Sequence, residues 1–97
     1  MIEPEHCRTM AEVRAGVDAL DERIVPLLAV RTRFMDAAAR IKNHREQVRD
    51  EPRKAAVIAH ARAVAAREGM PEDLAGEVYE CLVEASIAHE LARFDRR

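Results

Sequence analysis

One arginine stands where a helical stripe of apolar residues has room for another apolar one. Read at three-to-four spacing, Met10, Val13, Val17, Leu20, Ile24, Leu27, Arg31, Phe34, Ala38 and Ile41 share one face, and Arg31 is its discordant member. A guanidinium there fits an interface arginine that snorkels out or meets a buried carboxylate, and it also fits a donor to a bound anion. Eleven positions on, Lys42 lies about 20° around the same helix and about 16 Å along it. Two cations at the inner end of an apolar stripe suit an anionic ligand. Arg14 lies about 100° around from Arg31, so it joins such a site only from another chain or across a curved interface. Late in the chain, Ser86 and Glu90 stand four apart on a face with Tyr79, Val83 and Phe94, a pattern that equally describes an exposed flank.

Other chemistries find no residues to carry them. The sequence has no GxGxxG and no P-loop, and Gly16, Gly69 and Gly76 are scattered. His6, His44, His60 and His89 show no HExxH or paired metal spacing. Ser86 is the only serine, without a GxSxG around it. Cys7 and Cys81 form no CxxC pair, and a disulfide framework is not expected. A nucleophilic, metal-dependent or cofactor-dependent mechanism is therefore not indicated.

The elements that must position these residues are helical. In 97 residues only 3% are aromatic, with 3 Gly and 4 Pro, while alanine and straight-chain helix formers dominate. A net charge of −2 argues against a general nucleic-acid binder. The cations are nevertheless skewed to arginine, with Lys42 and Lys54 the only lysines, which suggests local anion sites. No segment approaches the roughly 20 apolar residues that span a bilayer, so a cytoplasmic protein without membrane contact is expected.

The first helix is expected from about Met10 to Lys42, with Thr9 as N-cap, Glu12 at the capping-box position, and a kink at Pro26. The second should start near Asp50, carry Pro52 in its first turn, and stop at Gly69 after Glu68. The third should run from Pro71 to about Phe94, with Glu72 and Asp73 at the positive end of its dipole. Asn43 to Arg49 is the one substantial loop. This is an all-α, three-helix protomer forming a single domain over residues 1–97. Its first helix, at about 33 residues, spans about 50 Å, far more than a compact chain of this size can cover. The simplest cover for the stripe is a second copy, giving an intertwined homodimer.

The order Arg14, Asp18-Ala-Leu-Asp21, Arg31, Lys42 resembles the all-helical (type II) chorismate mutase family. So do the entry Val48-Arg49-Asp50-Glu51-Pro52-Arg53 and the late Ser86–Glu90 pair, and the resemblance covers nearly the whole chain. The start Pro4-Glu5-His6-Cys7, with its spacing to Arg14, is similar to the isochorismate-pyruvate lyase branch. The resemblance implies two active sites per dimer, each taking Arg14 from the partner and Arg31, Lys42, Asp50, Arg53, Ser86 and Glu90 from the home chain. Two positions depart from it. Lys54 stands where many mutases have a glutamate contacting the substrate hydroxyl, which bears on chorismate against isochorismate. Glu90 stands where glutamine is common.

The implied reaction is the pericyclic rearrangement of chorismate, a dianion, to prephenate. It needs no nucleophile, metal or cofactor, only a held conformation and stabilisation of charge. Planar arginines suit the two carboxylates. Lys42 and a protonated Glu90 suit the ether oxygen, where negative charge grows as the C–O bond breaks. The alternatives are an isochorismate-pyruvate lyase giving salicylate and pyruvate, and a non-catalytic helical dimer that binds a partner. Ser86 leans toward the mutase, and the N-terminal similarity toward the lyase.

Overall fold

The computed structural model describes residues 2–97, and the described residues are helical with no strand. Helix α1 covers Met10–Ile41, α2 covers Glu51–Glu68 and α3 covers Glu72–Arg96, with single 3-10 turns at Pro4–His6 and Arg45–Gln47. The chain divides into two compact units, one ending at Phe34 and one spanning Met35–Arg97.

In the first unit the start of α1 is fixed locally. The Thr9 hydroxyl accepts the Glu12 N–H at 3.1 Å, and the Glu12 carboxylate accepts the Arg8 N–H at 3.2 Å and the Thr9 hydroxyl at 3.1 Å. The reciprocal cap is therefore present, with the carboxylate reaching one residue further back than the usual capping box. The helix continues through Pro26 without a break in its assignment. Its stripe lies bare within the chain: Met10, Leu27, Phe34 and Ile41 are 60%, 70%, 68% and 69% exposed.

The second unit has its own core. Val48, Val83 and Ile87 are buried, and Val57, Ile58, Leu91 and Phe94 pack around them. Helices α2 and α3 form a hairpin whose α2 face is small, with Ala61 and Ala65 buried. Asp50 caps α2, its Oδ1 accepting the Arg53 N–H at 3.0 Å. At the other end Gly69 adopts a left-handed φ of 78°, and the Met70 N–H bonds the Ala65 carbonyl at 2.8 Å. A Cβ at residue 69 opposes that conformation, so Gly69→Ala should cost about 1–2 kcal/mol. The measurement is the urea midpoint, which should fall without a change in slope.

The last carbonyls of α1 are served from a distance. Arg97 lies over the Phe94 ring at 3.7 Å, and its Nη1 donates to Ala39 O at 2.9 Å and to Lys42 O. This arginine takes the place of a local glycine cap.

Candidate active site

Lys42 follows α1 directly, and Glu90 lies on the face of α3 that carries Val83 and Ile87. Lys42 Nζ donates to Glu90 Oε2 at 2.7 Å. Glu90 is the one buried charged residue among those described, only 4% exposed, whereas the Lys42 side chain is 29% exposed. A buried carboxylate is tolerated only with a partner, and the lysine supplies it. Two polar atoms 2.7 Å apart can also converge on a single ligand atom.

Beside them lies an open cleft of about 490 Å³, lined by Ile41, Lys42, Asn43, Gln47, Arg49 and Asp50. Sequence reasoning connected Lys42 with Asp50 only through resemblance, and here they line one wall. The loop between them is closed by Gln47, whose Oε1 accepts the Asn43 and His44 N–H groups at 3.0 Å each. Arg53 sits one turn into α2, exposed, its backbone tied to Asp50. Ser86 donates to Leu82 O at 2.7 Å, within its own helix, one turn before Glu90. Lys42, Asp50, Arg53, Ser86 and Glu90 thus all belong to the second unit, and Arg14 and Arg31 to the first.

Lys54 is 16% exposed in its side chain and donates to Glu80 Oε1 at 2.7 Å and Glu84 Oε2 at 2.8 Å. Its charge is met inside the α2–α3 hairpin. Both carboxylates raise its pKa, Glu80 first and Glu84 next. Arg49, in sequence only one residue of the loop-to-helix entry, lines the cleft and grips Glu84 with both terminal nitrogens, at 3.0 and 2.8 Å. The Arg49 guanidinium, followed by Lys54, pushes the Glu84 carboxyl down to about 2. Arg45 holds Asp95 in the same two-pronged way, at 3.0 and 3.3 Å.

The arrangement offers a lysine paired with a buried carboxyl and, beside it, a cleft that Lys42 and Arg49 line, a set that suits a small anion whose charge moves during reaction. No helix among the described residues is long and apolar enough to cross a membrane. The family model for chorismate mutase type II matches the chain over residues 13–91. No curated protein matches it.

Proposed function

Because this chain belongs to the chorismate mutase type II family, it is an enzyme that isomerises chorismate to prephenate, and we propose that it does so by electrostatic and conformational stabilisation in a cationic pocket. The observation that carries this mechanism is the 2.7 Å contact between Lys42 and the buried Glu90. In the free enzyme they neutralise each other. With substrate bound, the Lys42 ammonium and a protonated Glu90 both donate to the ether oxygen of the breaking C–O bond. Both interactions strengthen as charge develops, so they favour the transition state over the ground state. Arg31, Asp50, Arg53 and Ser86 bind the substrate, with the arginines suited to its carboxylates.

Arg14 completes the site from a second copy. The support is the bare stripe of α1, on which Val17, Leu20 and Ile24 are 50%, 41% and 47% exposed beside Leu27 at 70%. A continuous apolar face of this length calls for cover, and an identical face on a second chain is complementary to it. Sedimentation should give a species of twice 10.9 kDa, and a folded, active monomer of 10.9 kDa would sink this architecture.

The substrate is tested by supplying chorismate and isochorismate separately and identifying products. Prephenate from chorismate is expected. Salicylate and pyruvate from isochorismate, without prephenate from chorismate, would move the chain to the lyase branch. No turnover of either would leave a helical dimer that binds a partner.

A further inference from the structure

Glu84 is an α3 carboxylate with no place in the chemistry above, yet it grips the chain on both sides of two site residues. Its Oε1 and Oε2 accept from Arg49 at 2.8 and 3.0 Å, and Arg49 immediately precedes Asp50. Its Oε2 also accepts from Lys54 at 2.8 Å, and Lys54 immediately follows Arg53. Glu51 and Glu80 extend the lattice, at 2.9 Å from Arg49 and 2.7 Å from Lys54. Every segment between the two grips is short and ordered: Asp50 Oδ1 holds the Arg53 N–H, and Asp50 O accepts the Lys54 N–H at 2.9 Å.

We infer that Glu84 is a positioning residue, which sets where Asp50 and Arg53 present themselves to the substrate by fastening the residues before and after them to α3. The inference rests on the chorismate mutase reading for what Arg53 binds, but the fastening itself does not. A bidentate arginine–carboxylate pair fixes direction as well as distance, and a lysine shared with the same carboxylate closes the frame. Exposed ion pairs contribute little to global stability, so the frame's use is geometric. Small displacements of a substrate-holding group are costly to catalysis, reaching about 100-fold for a shift of about 1 Å.

The frame holds in acid. The Arg49 guanidinium and then the Lys54 ammonium hold the folded Glu84 carboxyl down to about 2 against an ordinary 4.5, so it stays ionised at pH values where an unfolded glutamate takes up a proton. Its contribution is present above 4.5 and lost as pH falls through about 2.

The test is Glu84→Gln in the full chain, with Lys54→Met beside it. The glutamine oxygen can still accept one bond but cannot hold both cations. We expect KM for chorismate to rise about 10-fold or more, with kcat much less changed and the thermal midpoint close to wild type. Lys54→Met leaves the Arg49–Glu84 fork in place and should show a smaller rise. Amide exchange supplies a readout that needs no substrate. The Arg53 and Lys54 amides should exchange faster in Glu84→Gln, while Gly69 and Met70 at the far end of α2 stay as in wild type. A wild-type KM with unchanged exchange at residues 53 and 54 overturns the inference, and so does a loss of activity that only follows a loss of folded protein. Failure of the wild-type chain to convert chorismate would instead strike the substrate reading, and the exchange result would still decide the role of Glu84.

Discussion

Replacing Lys42 with alanine should lower kcat by a factor of about 10²–10³, the cost, in the proposed mechanism, of losing one preorganised donor to developing negative charge. The same change leaves Glu90 buried without its cation. The variant therefore carries a second signature: its fold is weakened because an uncompensated carboxylate stays inside the unit. Arg14→Ala should lose activity for a different reason, since in the proposed dimer it removes a donor contributed by the other chain. Mixing the two inactive variants under subunit exchange separates these roles. In a heterodimer one site receives both lesions and the other receives neither, so activity reappears. With exchange verified, an absence of recovery would mean that Arg14 does not act across the interface.

The second large effect concerns Glu90. An ionised carboxylate facing the ether oxygen repels the growing charge, and only the protonated acid donates to it. The free enzyme pairs Glu90 with Lys42 at 2.7 Å. The proposed donor role places a proton on Glu90 in the complex, so kcat/KM should fall as pH rises. Calorimetry in buffers of different ionisation enthalpy should register that proton uptake on binding a stable dianionic analogue. Glu90→Gln provides a permanent donor of nearly the same shape. It should flatten the pH profile, abolish the uptake, and preserve or raise activity at about pH 7–8. A flat wild-type profile, or a glutamine variant inactive at every pH, would show that Glu90 does not donate to that oxygen.

The helix boundaries were legible because the groups that set them are neighbours in the chain. Thr9 with Glu12, Asp50 ahead of Pro52, and Gly69 each act within one turn, so spacing alone exposes them. The end of α1 lies within a residue of where its pattern stops, but its cap has no local signal, because Arg97 reaches back across 58 positions to Ala39. Among the site residues, Arg31 and Lys42 carry a signal of their own, since one interrupts and the other ends an apolar face, whereas the pattern around Glu90 equally describes an exposed flank. Lys54 carries a comparable signal. It shares a face with Val57, Ile58, Ala61 and Ala65, and a lysine there requires carboxylates opposite. Glu80 and Glu84 answer that requirement, yet four-spaced glutamates on a helix are indistinguishable by pattern from a solvated flank. Charged residues declare a partner only once the fold has brought one within reach.

The bare stripe of α1 also dictates how the enzyme comes into being. The second unit collapses on contacts made within one chain, chiefly those of the α2–α3 hairpin around Val48, Val83 and Ile87, and such local contacts form fast. The face from Met10 to Leu27 has no such counterpart in its own unit, since these residues stay 39% to 70% exposed. In the proposed dimer its burial is an encounter between chains and so is second order in protein concentration. Refolding should show a rapid phase indifferent to dilution and a slower one that lengthens with it, with catalysis returning only in the latter. The apparent melting temperature should climb with concentration for the same reason.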